Sequence, residues 1–120
     1  MGYPQLFSLD PFALCEWAEK EFSVEQIEEI NSIEDMKVAN KVNLQLSAYE
    51  TYFSNLLSYA EIITRQAKRE CSKIDYEDMV DRKKIISNKY ESLKHQREAL
   101  SRSVTIYTKM LEEIKYSEKL

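Results

Sequence analysis

The chain contains no glycine and no proline between Phe12 and Leu120. Its one Gly and two Pro all fall within the first eleven of its 120 residues. Tight turns with a positive φ need glycine, and two-residue hairpin loops usually need Gly, Asn or Asp pairs. A β-rich fold is therefore disfavoured, and we predict an all-α protein built from long helices.

Two long stretches carry apolar residues at alternating spacings of three and four, which is typical of helices that pack along a seam. The first is predicted as a helix over about 33–71, and the second as a helix over about 76–117. Residues 72–75 are predicted as the connection, with Asp75 as the cap of the second helix. A link this short joins antiparallel neighbours, so we expect a long helical hairpin.

A hairpin has two layers and leaves apolar stripes on its outer sides. We predict that further copies of the chain cover them and that the protein is a homo-oligomer. The number of subunits is left open, as is whether the seams close within one chain or between chains. The predicted oligomer seam consists of core-type positions on both helices: Leu46, Phe53, Leu56, Ile86, Leu93, Leu100 and Tyr107.

Residues 1–31 are predicted as an N-terminal arm with short acidic helices, and 32–120 as the hairpin, together forming one domain. The first ten residues are expected to be irregular. Asp10, which is followed by proline, marks the start of a helix of about twelve residues. Ser23 and Gln26 then fit a capping box, which would open one more short helical turn.

Charge is distributed unevenly, although the formal net charge of the whole chain is −4. Residues 1–35 hold nine acidic side chains and one Lys, whereas 82–109 hold eight Lys or Arg and two Glu. One interpretation is that the acidic helices fold over the basic helix, or dock on a neighbouring subunit, and the charges pair. The alternatives are an anion-binding strip, most commonly for nucleic acid, or a solvated face.

No sequence motif specifies a reaction. With two separated cysteines and one histidine, His95, we expect no disulfide framework, metal site or cofactor. Lys83 and Arg97 interrupt the apolar seam. Their stems are expected to pack while their heads reach solvent or pair with acids across the interface. A catalytic pair holding a dianionic substrate is the alternative, but no acid–base pair is in register with it, so we predict no catalytic residues and no enzyme activity.

The N-terminus lacks the features of a signal peptide, and no stretch is apolar enough to span a membrane. We therefore expect a cytoplasmic protein without a membrane partner, in agreement with its cysteine usage.

The second helix reads MVDRKKIISNKYESLKHQREALSRSVTIYTKMLEEI over 79–114. Together with the preceding basic-ended helix and acidic link, it resembles the small helical recombination mediators of T4-type phages, the UvsY-like family, over roughly 35–117. This chain departs from the family in its net acidic charge. The resemblance implies a ring-forming protein that binds single-stranded DNA in the host cytoplasm and helps load a recombinase. The DNA contacts it implies lie about the hairpin tip: Lys68, Arg69, Arg82, Lys83, Lys84 and Lys89.

A second hypothesis involves proteins alone. The acidic N-terminal third and the exposed helical faces fit an adaptor or inhibitor of phage or bacterial origin. Its acidic segment would occupy a basic site on a partner protein, as DNA would.

Overall fold

The computed structural model describes residues 1–70 and 72–119 of the chain. This part contains four helices and no strand: α1 (Tyr3–Leu6), α2 (Pro11–Glu21), α3 (Ile33–Glu70) and α4 (Lys73–Lys119). The two long helices α3 and α4 pack against each other as a hairpin. The molecule is a rod with dimensions of 72 × 22 × 18 Å. The predicted all-α helical hairpin with short N-terminal helices is confirmed.

Local sequence determines where the helices begin. Asp10 accepts a hydrogen bond from the backbone N–H of Ala13 (2.9 Å), and the residue after it is the proline that opens α2. The hydroxyl of Ser32 accepts one from the N–H of Asp35 (3.1 Å) at the start of α3. Both starts agree with the predicted ones.

The start of α4 differs from the prediction. The hydroxyl of Ser72 accepts a hydrogen bond from the N–H of Asp75 (3.3 Å) and donates one to its carboxylate (2.8 Å). Ser72 therefore caps the helix, which begins at Lys73. The prediction that 72–75 form the connection, with Asp75 as the cap, was wrong because this serine provides a cap three residues earlier. The predicted end of the first long helix, at Cys71, lies outside the described residues.

The interface between α3 and α4 forms most of the hydrophobic core. Every residue of the predicted oligomer seam is at most 8% exposed within the single chain. Small side chains at Ala39 and Ala60 are fully buried between the larger ones. The seams therefore close inside one chain, and a second copy would have to contact other surfaces.

The N-terminal layer, defined here as residues 1–31, adds a third element beside the hairpin. Leu6, Phe7, Leu14 and Ala18 are buried in the same core as the hairpin residues, and α2 packs against α4. After α2 the chain continues without helical structure along the hairpin and reaches the start of α3. The N-terminal layer thus covers one side of the hairpin.

Two details of this layer differ from the prediction. A short helix, α1, occurs where an irregular arm was expected, and the side-chain oxygen of Gln5 accepts a hydrogen bond from the N–H of Gly2 (2.9 Å) at its start. The predicted turn after Ser23 is absent, since 23–31 has no helix. Apolar residues spaced by three, which suggested a helix there, instead pack as a non-helical segment on the hairpin: Val24, Ile27 and Ile30.

An aromatic cluster joins the N-terminal layer to α3. The ring of Phe22 lies edge-on to Phe53, with centroids 4.7 Å apart, and is stacked with Tyr52 at 5.1 Å. Trp17 packs on Phe53 at 6.0 Å, and Tyr3 contacts Tyr52 at the same separation. Aromatic pairs of this kind contribute about 0.5–1.5 kcal/mol beyond the area they bury. The cluster therefore attaches the layer to the hairpin mainly by apolar contact.

Candidate nucleic-acid interface

Exposed basic side chains lie at the hairpin tip and along the adjoining part of α4. Lys68 and Arg69 occupy the last turn of α3 and are exposed. Lys84, in the first third of α4, is exposed as well. Cations in the last turn also interact favourably with the dipole of α3, so Lys68 and Arg69 stabilise the helix whether or not they bind a ligand.

Arg82 differs from these three because it is committed to the fold. Its Nε donates a hydrogen bond to the backbone carbonyl oxygen of Leu9 (2.8 Å), which joins α4 to the N-terminal layer. Its Nη1 is buried and has no hydrogen-bond partner among the described residues. Sequence patterns did not indicate this role, since the contact spans 73 positions along the chain.

The six predicted DNA contacts do not form one continuous surface. Lys83 and Lys89 are half-buried, whereas Lys84 is exposed. Successive helical residues are about 100° apart, so Lys83 and Lys84 occupy different sides of α4, while Arg82 and Lys89, seven positions apart, share one side. The structure therefore places the exposed Lys68 and Arg69 at the tip and the exposed Lys84 about three turns along α4 from it, and leaves the others partly covered.

Ion pairing is sparse in the described part of the chain. Its ion pairs are Glu34–Lys37 on the surface and Glu50–Arg97 between the long helices. The charged nitrogens of the tip cations therefore have no carboxylate oxygen within 4.0 Å among the described residues. These side chains retain their capacity to contact an anion from outside.

Arg97 sits in a polar groove on the hairpin. Its guanidinium makes an ion pair with Glu50 and lines a shallow depression with Tyr90. The Arg97–Glu50 hydrogen bond raises the pKa of the guanidinium above its usual value, so it stays charged. One of the expectations for Arg97, pairing with an acid across the interface, is thus what the structure shows.

A second polar contact lies next along the groove. The amide Nδ2 of Asn43 donates to the hydroxyl of Ser101 (2.8 Å), while the buried Oδ1 of Asn43 has no hydrogen-bond partner within the described residues. With Glu50–Arg97 this contact fixes the register of α3 against α4, because a shift of one turn would leave all four polar groups without partners. Sequence reasoning missed Glu50 and Asn43, since their partners depend on the register.

The acidic side chains of the N-terminal layer face solvent. Although α2 packs against α4, none of its carboxylates makes an ion pair among the described residues. As expected, the acidic helix α2 folds over the basic helix α4, but apolar contacts rather than ion pairs hold α2 in place. The exposed acids are Asp10, Glu16, Glu19, Glu21, Glu25, Glu28 and Glu29.

No group of three or more His, Cys, Asp or Glu side chains in the described ranges is arranged to hold a metal ion. None of the helices described is long and apolar enough to cross a membrane. His95 is exposed on α4.

Comparisons of the chain with protein-family models, with curated proteins and with solved structures found no match.

Proposed function

We propose that this protein is a non-enzymatic binding and assembly protein that binds single-stranded DNA through its hairpin tip, in the manner of a phage-type recombination mediator. The observation that carries the proposal is the set of exposed cations, Lys68, Arg69 and Lys84, none of which has a carboxylate within ion-pairing distance in the described chain. Single-stranded nucleic acid is held by such cations together with aromatic stacking.

A non-enzymatic role is supported by what holds Arg97. Its charge is compensated by Glu50, so it is not free to hold an anionic substrate. Lys83, the other polar position of the seam, does not line either of the two depressions that Arg97 borders. The two cations therefore do not converge on one enclosed pocket, which the catalytic alternative requires.

The test is a titration of a labelled, unstructured oligonucleotide followed by fluorescence anisotropy at several salt concentrations. We expect binding to weaken steeply with salt, because cations that contact phosphates release counterions. The variant Lys68→Glu/Arg69→Glu/Lys84→Glu should lose at least about tenfold in affinity. Its slope of log K against log salt should fall by about 2, since each single-strand phosphate contact contributes about 0.7.

A matched control carries the same change in net charge elsewhere on the rod: Lys41→Glu/Arg102→Glu/Lys115→Glu, all three positions being exposed. Equal losses in both variants would mean that net charge, not the tip, governs binding. Absence of any binding at low salt would remove the DNA hypothesis. Arg82 is left unchanged because replacing it would also disturb the N-terminal layer.

The exposed, unpaired acids of the N-terminal layer favour one second candidate, a protein adaptor or inhibitor that engages a basic partner. It predicts binding to a Lys-rich peptide that weakens in the variant Glu16→Gln/Glu19→Gln/Glu25→Gln and is unchanged by the tip substitutions. Peptide binding without oligonucleotide binding would favour the adaptor. The reverse result would favour the DNA-binding protein.

A further inference from the structure

The end of α4 extends past the hairpin partner that covers the rest of it. α4 has 47 residues and α3 has 38. Near the base of the rod, Thr108 Oγ1 lies 3.8 Å from the sulfur of Met36, and further up Asn43 pairs with Ser101. At 1.5 Å per residue in both helices, this register places the start of α3 opposite about residue 111. Residues 112–119 therefore have no counterpart on α3.

The last third of α4, which includes this overhang, carries an exposed apolar stripe. Ile106, Met110 and Ile114 are spaced by four, so they lie along one line of the helix. They are 62%, 50% and 52% exposed, respectively. Ile114 lies beyond the start of α3, whereas Ile106 and Met110 lie alongside its first turns and are nevertheless exposed. Three large exposed apolar side chains in one line form a contiguous patch rather than the scattered exposure that is usual on protein surfaces.

The charged side chains beside the stripe are complementary to the same side chains of a second, antiparallel copy. Lys109 and Glu113 are both exposed and lie one helical turn apart, yet neither makes an ion pair among the described residues. If two copies of this helix pack antiparallel about a two-fold axis near Leu111, Lys109 of each copy faces Glu113 of the other, and Ile106 faces Tyr116. Two-fold symmetry forms each of these contacts twice.

We propose that the surface for self-association is this C-terminal stripe of α4, and that its occupant is the same stripe of a second copy packed antiparallel. This stripe would be the site of the self-assembly that the proposed function includes, and its dimerisation does not require DNA binding. The stripe also takes the place of the predicted oligomer seam, because the residues of that seam are buried in the core of one chain. In such a dimer the two rods are joined at the ends opposite their hairpin tips, so one tip lies at each far end of the dimer.

The size of the patch predicts the strength of the contact. Residues 103–119 span roughly 25 Å of helix. One helix–helix contact of this length is smaller than the ~800 Å² per partner of a standard interface. We therefore expect a monomer–dimer equilibrium with a dissociation constant on the order of micromolar.

Sedimentation velocity from about 1 µM to about 500 µM would measure this equilibrium, since the range brackets a micromolar constant. We expect Ile106→Lys/Met110→Lys to weaken dimerisation at least about tenfold while circular dichroism stays unchanged, because both side chains are already exposed. The matched control, Leu44→Lys/Ile62→Lys, makes the same change at exposed apolar positions of α3 and should dimerise like the parent.

Charge reversal tests whether the occupant is the same stripe. Lys109→Glu and Glu113→Lys should each weaken the homodimer. Mixing the two variants, or combining both changes in one chain, should restore dimerisation, since opposite charges again face each other. A different protein as the natural occupant would leave the isolated chain monomeric.

A monomer throughout the concentration range would overturn the proposal, and so would dimers that respond equally to the stripe variant and its control. If Lys109→Glu and Glu113→Lys do not each weaken the dimer, or if combining them does not restore it, the antiparallel arrangement is wrong and the proposal with it. The tip variants should dimerise normally, and the stripe variants should bind a short oligonucleotide as the monomer does. Failure of this inference is therefore distinguishable from failure of DNA binding.

Discussion

Replacing Leu93 on α4 and measuring the stability of the protein tests whether the hairpin closes within one chain. Its side chain is 0% exposed and belongs to the core shared by both long helices and the N-terminal layer. Leu93→Ala removes three carbon atoms, worth roughly 2.4 kcal/mol at about 0.8 kcal/mol per buried carbon. A cavity term adds to this because a rod with helices on both sides cannot fully collapse. We expect a total loss of about 3 kcal/mol, within the range of about 2–5 kcal/mol typical of buried Leu→Ala changes.

The assay is urea unfolding followed by circular dichroism, at two protein concentrations. Leu44→Ala is the control, because Leu44 is 75% exposed and should cost less than about 0.5 kcal/mol. The difference between the two variants should be the same at both concentrations if Leu93 packs inside the chain. A loss below about 1 kcal/mol for Leu93→Ala, or a difference that grows with dilution, would refute the intramolecular core.

Three further predictions concern polar contacts. Arg82→Gln should cost about 1–2 kcal/mol and speed hydrogen exchange in the N-terminal layer, because it removes the hydrogen bond to Leu9, whereas exposed Lys84→Gln should change neither. Arg97→Met should destabilise more than Arg97→Met/Glu50→Leu in urea unfolding, because the single change leaves a partly buried carboxylate without its partner; equal losses would argue against the pair. Burial, and secondarily the neighbouring Tyr3, raises the pKa of Tyr52 above 10.0, so stability should fall as pH rises through that value, and Tyr52→Phe should reduce this alkaline loss in pH-dependent unfolding.

The direction of that pH effect follows from proton counting. When the folded-state pKa of a tyrosine lies above its unfolded value, the folded protein binds more protons at alkaline pH. The contribution to stability is therefore fully present below the unfolded pKa and is lost as the pH rises through the folded one. The comparison with Tyr52→Phe isolates the effect of this side chain. A Tyr52→Phe curve identical to that of the parent would contradict the proposed burial.

Most of the hairpin was predictable because its causes are local or periodic. The absence of Gly and Pro, the spacing of apolar residues and the serine at position 32 determine long helices and the start of α3. The start of α4 was misplaced because Ser72 and Asp75 are both good caps, and sequence alone did not decide between them. The segment 23–31 was misread because a spacing of three fits a helix and also a non-helical chain with a three-residue period.

The candidate site was less predictable, because charge along the sequence does not specify exposure. Arg82 and Lys84 are two positions apart and have the same sign, yet the first anchors the N-terminal layer and the second is exposed. The apolar stripe at the end of α4 was equally hidden, since Ile114 has the same core-type position in the repeat as buried Tyr107. What differs is whether α3 reaches that far.

The sequence by itself determined a helical rod, its two long segments and the opposite charges of its two regions, because turn chemistry and periodicity act over a few residues. Tertiary structure decided which apolar positions are used up inside the chain, which cations remain free, and where a partner can bind. The physical reason is that burial and ion pairing depend on register and on where one helix ends against another. Those distances are set by the packing of the whole chain, as the pairing of Glu50 with Arg97 illustrates.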